Sequence, residues 1–251
     1  MGKFVHPNWI TPPNIGCLVT TRLGGVSPNP WDSMNLGLNT ADSKQNLEAN
    51  RNILSKQLPQ GMQVQWLEQV HGKSGVKAMG QVEPAPPKAD YCYTTTQGIA
   101  CAVLTADCLP ILICNSTGTE VAAVHAGWRG LAAGVLTEAV RRFESEPADI
   151  QAWIGPCISR DAFEVGFEVL DAMKAVNMLG DLESSCKPHP HNSDKWYLDL
   201  VAIARDNLLQ QGLAGVSGSE HCTYSDPQHF FSYRRDGETG RMASLIWIQP
   251  S

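Results

Sequence analysis

The sequence lacks a long apolar run, an excess of positive charge and an N-terminal export segment, and each absence narrows the class of protein. No apolar stretch approaches the ~20 residues that a membrane-spanning helix needs. The formal net charge of −6 at pH 7 excludes binding of nucleic acid through bulk electrostatics. Residues 1–14 lack the apolar core of a signal peptide, so we expect a cytoplasmic protein with neither membrane nor nucleic-acid partners.

The cysteines lack the close spacing of common metal and redox motifs. Eight cysteines are spread over 251 residues, and no two of them form a CxxC pair. This spacing argues against structural zinc fingers and thioredoxin-type redox sites. Because we expect no export, the thiols are predicted to be reduced.

Strand-like and helix-like segments alternate along the chain without a strict period. Strands are predicted over 15–21, 64–70, 100–105, 110–114, 121–125, 150–154, 216–222, 230–234 and 244–248. Helices are predicted over 42–58, 130–143, 160–176 and 198–210, the first with Asp42 as its N-cap. This order predicts an α+β fold in which mixed β-sheets are flanked by helices, as one domain over residues 1–251.

Three side chains that bind metals well lie where predicted strands end. His71 stands in EQVHG, Cys108 in TADCLP and His125 in HAGWRG. Strand ends that meet at one edge of a sheet would bring the three together. Two imidazoles and a thiolate suit zinc, and three protein ligands leave the fourth position open, as in catalytic sites. The same residues are equally consistent with a Cys–His nucleophile pair, and spacing does not choose between these two interpretations.

Further polar residues are candidates for catalysis or substrate binding. Asp107 precedes Cys108, and Arg129 follows His125 within HAGWRG. Arg22 precedes a Gly-Gly turn. Arginine is well suited to phosphate, so Arg22, Arg51 or Arg129 could hold it. We count Asp107, Arg22 and Arg129 as candidate catalytic residues. The candidate substrate-binding residues are Asn35, Arg51, Gln69 and Cys157. The segment FFSYRRDGETGR is either a ligand lid or a hairpin that turns at Asp236-Gly237.

The motifs EQVHG, TADCLP, HAGWRG, IGPCI and FFSYRRDGETGR, in this order, resemble the YfiH-like family. This family is also called the laccase-domain or purine nucleoside phosphorylase family. The resemblance implies a zinc ion held by His71, Cys108 and His125, with copper able to replace zinc. It also implies phosphorolysis of purine nucleosides such as adenosine, inosine, guanosine and methylthioadenosine, and deamination of adenosine. The expected partners are a purine nucleoside and phosphate.

Three further functions stay open at this point. Some members of the family are described as copper-dependent polyphenol oxidases. A multicopper centre needs repeated His-x-His pairs, however, and the chain has one, His189 with His191. The second open function is an amidase that edits peptidoglycan precursors, and the third is a metal-free cysteine hydrolase. The sequence does not distinguish a monomer from a homodimer.

Overall fold

The computed structural model of the chain describes residues 2–81, 85–175 and 185–250. The strands are β1 Phe4–Val5, β2 Ile15–Thr20, β3 Gln63–Gln65, β4 Gly75–Lys77, β5 Tyr91–Thr94, β6 Ile99–Thr105, β7 Leu109–Asn115, β8 Val121–Ala126, β9 Ile150–Ile154, β10 Glu164–Val165, β11 Cys186–Pro188, β12 Trp196–Leu198, β13 Gly215–Gly218 and β14 Met242–Ile248. The α-helices are Lys44–Ser55, Trp128–Ala133, Val135–Val140, Phe167–Ala175, Leu200–Gln210 and Tyr233–Asp236. Among the described helices, none combines the length and apolar character that crossing a membrane requires.

The strands of the described chain form three sheets, two of which are large and pack face to face. One large sheet has the strand order β1-β2-β14-β6-β3 and the other β13-β9-β7-β8-β5-β4, while the small sheet is β10-β12-β11. Both large sheets are mixed, because β3 pairs with β6, β4 with β5 and β13 with β9 in parallel. Helix Lys44–Ser55 covers the outer face of the first large sheet, and helices such as Leu200–Gln210 cover the second. The predicted class of mixed sheets flanked by helices is confirmed.

Strand β7 shows why the interior of this fold is so apolar. Ile111 and Ile113 pack into the core beneath the helices, whereas Leu112 and Cys114 pack into the core between the two large sheets. Successive side chains of a strand point to opposite faces, so a strand covered on both sides is apolar at every position. All four side chains are fully buried. The continuous run LPILICN is therefore the signature of a central strand with two covered faces.

Most of the longer predicted elements are confirmed. The predictions over 15–21, 100–105, 110–114, 121–125, 150–154, 198–210 and 244–248 correspond to β2, β6, β7, β8, β9, helix Leu200–Gln210 and β14, with ends that agree within two residues. The prediction over 216–222 forms only as Gly215–Gly218. The prediction over 64–70 was too long, because strand β3 ends at Gln65.

The predicted start of the first helix is wrong. The helix begins at Lys44, and its N-cap is Ser43, whose hydroxyl accepts a hydrogen bond from the N–H of Asn46. Asp42 instead accepts hydrogen bonds from Ser27 at 2.6 Å and from Asn35 at 3.1 Å. Asp42 therefore fixes the loop before the helix, and it also accepts a hydrogen bond from the side chain of Asn46 at 2.8 Å.

Two predicted helices are interrupted. The segment over 130–143 forms helices Trp128–Ala133 and Val135–Val140, because Gly134 between them has a φ of +86°. The segment over 160–176 forms a 3₁₀ turn, strand β10 and then helix Phe167–Ala175. Residue 176 lies outside the described residues.

The strand predicted over 230–234 is also wrong, and the hairpin that was one of two interpretations of FFSYRRDGETGR does not form. Phe230 and Phe231 are fully buried, but they lie in the core as irregular backbone. The next residues form helix Tyr233–Asp236, which Ser232 caps by accepting a hydrogen bond from the N–H of Arg235. The two adjacent aromatic residues therefore indicate a buried segment and not a β-strand.

Glycine at position 16 is required by the packing of the first large sheet. Gly16 pairs with Trp247 across β2 and β14, and a Cβ at Gly16 would overlap the indole ring. We therefore expect Gly16→Ala to reduce the free energy of unfolding by about 1–3 kcal/mol through overpacking. Gly215→Ala is the matched control, because that strand glycine has open space around its Cβ position. Urea unfolding of both variants tests this, and equal stabilities would contradict the packing argument.

Candidate metal centre

His71, Cys108 and His125 come together in three dimensions. One ligand atom from each lies within 4.8 Å of the others. Cys108 immediately precedes β7, and the pairing of Pro110 with His125 across β7 and β8 brings the thiol beside the imidazole. His71 reaches the same point from the loop after β3.

The residue type at position 127 allows this close approach. A Cβ at Gly127 would lie 2.8 Å from Cys108 Sγ and 3.3 Å from His71 Cδ2. A side chain there would push these two residues apart. The first glycine of the HAGWRG motif is thus explained by the packing of the trio.

The donor set fits a transition metal. Imidazole nitrogens and a thiolate are the borderline-soft ligands that bind zinc and copper. Within the described parts of the chain, the trio is the one group of three or more His, Cys, Asp or Glu side chains close enough to share an ion. The three residues therefore define a candidate metal centre with three protein ligands.

The buried carboxylate of Asp90 holds two of the three ligand segments. Asp90 Oδ1 accepts the N–H of His71 at 2.9 Å and lies 2.8 Å from His125 Nδ1. Oδ2 accepts the N–H of Gly72 at 2.6 Å. A carboxylate accepts hydrogen bonds, so His125 donates through Nδ1 and leaves Nε2 for a metal. Asp90 was not among the residues predicted from the sequence.

Charge coupling shifts the pKa values of Cys108, His125 and Asp90. Burial alone would raise the pKa of the Cys108 thiol, but the charge of His125 and hydrogen bonds from both histidines lower it to about 6. Burial alone would lower the pKa of His125, but the Cys108 thiolate and Asp90 raise it to about 9. For Asp90, hydrogen bonds from His125, Gly72 and His71 overcome the effect of burial and lower the pKa. Without a metal, the cluster favours thiolate and imidazolium.

A cavity of about 700 Å³ opens onto the trio. Its apolar and aromatic walls include Leu67, Leu104, Trp128, Ile158, Phe163 and Tyr233. Of the predicted site residues, Gln69, Asp107 and Arg129 also line this cavity. A concave site with apolar walls and a few converging polar groups is the usual form of a small-molecule site.

Asp107 and Gln69 are both engaged with the protein. Asp107 Oδ1 accepts the hydroxyl of Thr223 at 2.6 Å, and Oδ2 accepts the N–H of Arg234 at 2.7 Å. The Gln69 amide donates to the carbonyl of Leu104 at 2.8 Å and accepts its N–H at 2.7 Å. Both side chains therefore fix the walls of the cavity.

The other four predicted residues do not line the cavity. Arg22 forms an ion pair with Asp32 at 3.2 Å. Arg51 donates to the carbonyl of Leu36 and lies over the ring of Trp66 at 4.1 Å. These contacts give both arginines a structural role. They give no support to the prediction that either arginine binds phosphate.

Asn35 and Cys157 also have structural environments. Asn35 is fully buried, and its side-chain oxygen Oδ1 accepts the N–H groups of Gly37 and Arg241 at 3.0 Å each. Cys157 is 2% exposed and belongs to the core beneath the helices. The cavity therefore gives no support to substrate binding by these two side chains.

The cavity contains residues that the sequence indicated only as a motif. Tyr233, Arg234 and Arg241 all come from FFSYRRDGETGR and all line the cavity. The segment thus contributes three side chains to the cavity wall, and its interpretation as a ligand lid stays a prediction. Asp90 stands before strand β5, which was not predicted from the sequence, and no motif pointed to it.

The fold and the site together define a mixed α/β protein with one candidate His–Cys–His metal centre, among the described residues, in a deep cavity. The family model described as "Multi-copper polyphenol oxidoreductase laccase" matches residues 16–249. The chain therefore belongs to this family, the YfiH-like or laccase-domain family that its motifs resemble.

Similar sequences carry an enzyme name. The purine nucleoside phosphorylase YfiH of Escherichia coli K12 is 47% identical, over 99% of this chain and 100% of the relative. The protein of the same name from Shigella flexneri is 48% identical over the same shares.

Solved structures confirm the fold. The Neisseria meningitidis protein NMB0706 has a TM-score of 0.92 and 42% identity, over 99% of this chain and 100% of that one. YlmD from Geobacillus stearothermophilus has a TM-score of 0.86 and 31% identity, over 95% and 93% of the two chains. These two solved structures thus share the fold of this chain over nearly its whole length.

The hydrogen bonds of Asp90 lead to a prediction about metal affinity. Asp90→Asn removes the charge that holds His125 and the His71–Gly72 backbone, so we expect zinc to bind about 10–100-fold more weakly. Chelator competition measures this affinity. Glu120→Gln is the matched control, because Glu120 is also buried and hydrogen-bonded, to Tyr93 and Ser145, but lies outside the cavity. An equal loss of zinc affinity in both variants would mean that Asp90 acts only through the stability of the protein.

The charge coupling of Cys108 leads to a prediction about reactivity. In metal-free protein, alkylation of Cys108 by iodoacetamide should rise through pH of about 6, because its thiolate forms there. His125→Ala should move this midpoint upward, and added zinc should protect the thiol. Peptide mapping by mass spectrometry separates Cys108 from the other thiols. A midpoint that His125→Ala leaves unchanged would contradict the coupling.

Proposed function

We propose that this chain is a zinc-dependent purine nucleoside phosphorylase, with zinc held by His71, Cys108 and His125. The proposed substrates are adenosine, inosine, guanosine or methylthioadenosine, together with phosphate. Residues 1–251 would act as one catalytic domain in the cytoplasm. The proposal draws on the enzyme name of the relatives and on the site described above.

One observation carries the proposal: the trio and an aromatic wall share one cavity. A nucleoside has a flat, largely apolar base and a polar sugar. Trp128, Phe163 and Tyr233 offer rings against which a base can pack. The trio offers the polar end where the sugar and phosphate would react. A volume of about 700 Å³ is in the range of sites for molecules of this size.

The reaction would exchange one bond for another at the sugar. A phosphate oxygen attacks C1′, and the C1′–N9 bond breaks with its electron pair passing to the purine. The base takes up a proton and leaves, and ribose 1-phosphate is the second product. When bound, zinc supplies Lewis-acid chemistry at this end of the cavity.

The protein's own residues would bind and orient the reactants. Holding two reactants in line lowers the entropy cost of their reaction. Asp107 borders the cavity with both carboxylate oxygens already accepting hydrogen bonds. As a candidate catalytic residue, Asp107 could either protonate the purine or hydrogen-bond to it. Because its oxygens already accept these bonds, we assign it hydrogen bonding and not proton donation. The buried histidine His125, held by Asp90, would keep the reacting end of the cavity in a fixed geometry.

The number of metal sites bears on the laccase alternative. A multicopper oxidase needs several groups of ligands, whereas the residues placed in this structure offer one. The chain has a single His-x-His pair, His189 and His191. His189 lies 3.5 Å from Glu164 and is not one of the three residues of the candidate metal centre. Phosphorolysis at one metal site is therefore favoured over multicopper oxidation.

A product assay on zinc-loaded protein tests the proposal. Adenosine is supplied with and without phosphate, and the products are separated by chromatography. We expect adenine and ribose 1-phosphate that depend on phosphate and are lost in His125→Ala, because this change removes one metal ligand.

Each different outcome would point to another reaction. Inosine would indicate adenosine deamination. Absence of any nucleoside product from protein with zinc bound would overturn the proposal and favour an amide of a peptidoglycan precursor. Activity that persists without metal but is lost on alkylation of Cys108 would instead support a cysteine hydrolase.

A further inference from the structure

Three arginines line the cavity, and none of them forms an ion pair with a described carboxylate. These are Arg129, Arg234 and Arg241. The acidic residues of the same walls are Glu68, which lies 3.9 Å from Lys88, and Asp107, whose oxygens accept hydrogen bonds from Thr223 and the Arg234 backbone. The walls thus carry more positive charge than the protein neutralises.

Arg241 lies next to the Cys108 turn because of strand register. β14 pairs with β6 so that Met242 stands opposite Thr105. The residue before Met242 therefore faces the turn that follows Thr105 and contains Cys108. The charges of Cys108 and Asp107 act on the Arg241 guanidinium, which agrees with this placement.

The side chain of Arg241 is held in place from several sides. Nη1 donates to the carbonyls of Thr239 at 2.8 Å and Gly240 at 2.9 Å. Its backbone N–H donates to Asn35, and a Cβ at Gly37 would lie 2.6 Å from Arg241 Cγ. Nε and Nη2 form no hydrogen bond with the described residues. The guanidinium is therefore half-buried and held in place, and its Nε and Nη2 can still donate hydrogen bonds to a ligand.

Arg129 and Arg234 differ in the hydrogen bonds that their guanidinium groups form with the protein. Arg234 Nη1 donates to the carbonyl of Glu164 at 2.8 Å, and its guanidinium lies over Phe163. The guanidinium of Arg129 lies 4.3 Å above the ring of Trp128 and has no hydrogen-bond partner among the described residues. Arg129 is thus the guanidinium with all of its donors free, whereas Arg234 has already used Nη1.

Partial burial of an arginine without an acidic partner costs free energy unless a bound anion balances the charge. Arginine stays charged in proteins, and removing its charge from water costs free energy that an opposite charge offsets. Its planar fork matches the oxygens of a phosphate, with two parallel hydrogen bonds. Arg241 has these features beside the candidate metal centre.

We propose that Arg241, assisted by Arg129, forms the subsite that binds inorganic phosphate beside the metal centre. This assignment rests on the proposed phosphorolysis and names the residues that hold its second substrate. It replaces Arg22 and Arg51, the other arginines that the sequence suggested for phosphate. Phosphate held there would lie in the same cavity as the trio.

The test measures phosphate binding and turnover separately on zinc-loaded protein. Arg241→Lys keeps the charge but loses the fork, so phosphate should bind at least about tenfold more weakly by calorimetry. The KM for phosphate should rise by a similar factor, while the KM for adenosine stays unchanged. Arg129→Gln should weaken phosphate binding in the same direction, and this exposed position avoids a cost in folding.

Arg205→Lys is the matched control. Arg205 is also half-buried and donates to backbone carbonyls, those of Val216 and Gly218, but it lies outside the cavity. Its replacement should leave phosphate binding unchanged. Thermal unfolding of each variant checks that the protein is folded.

The outcomes separate this proposal from the proposed function. Phosphate binding that needs Arg241, without cleavage of nucleosides, would keep the subsite and overturn phosphorolysis. Phosphorolysis with unchanged phosphate binding and KM in Arg241→Lys and Arg129→Gln would overturn the subsite alone. Binding of adenosine monophosphate but not of inorganic phosphate would also overturn it, because the anion would then come from a nucleotide.

Discussion

The carboxylate of Asp90 is the constraint on which the geometry of the site depends. It accepts hydrogen bonds from the ring of His125 and from the backbone of His71 and Gly72. The carbonyl of the same residue accepts the N–H of His125 at 2.7 Å. One fully buried residue thus joins strand β8 to the irregular loop that carries His71. A loop supplies a useful ligand only when such a contact fixes it.

The sheets supply the rest of the geometry. Pairing of β7 with β8 places Cys108 beside His125, and pairing of β14 with β6 places Arg241 beside the Cys108 turn. Cys108 follows Asp107, whose φ of +102° is unusual for a residue with a side chain. Hydrogen bonds from Thr223 and Arg234 to the Asp107 carboxylate oppose the strain of this turn. Strained backbone that its surroundings fix is common at functional sites.

The sequence predicts those features that are local, and it fails where distant segments meet. Buried strands such as β7 are visible as apolar runs, and His71, Cys108 and His125 are visible as ligands at or after strand ends. Asp90 was missed because its partners lie 18, 19 and 35 residues away. Arg22 was suggested by the Gly-Gly turn that follows it, and Arg51 by the affinity of its residue type for anions. The register of β14 against β6 instead brings Arg241 to the site, and no local pattern encodes that pairing.

The net charge of the whole chain also does not predict the charge of the cavity. A net charge of −6 argues against polyanionic partners, because their long surfaces respond to the summed field. A small anion in a cavity responds to the few charges within about 8 Å, since salt screens the others. The walls of this cavity carry three arginines that form no ion pair with a described carboxylate. An acidic protein therefore offers a cationic pocket, and the acidic surface outside it disfavours larger polyanions.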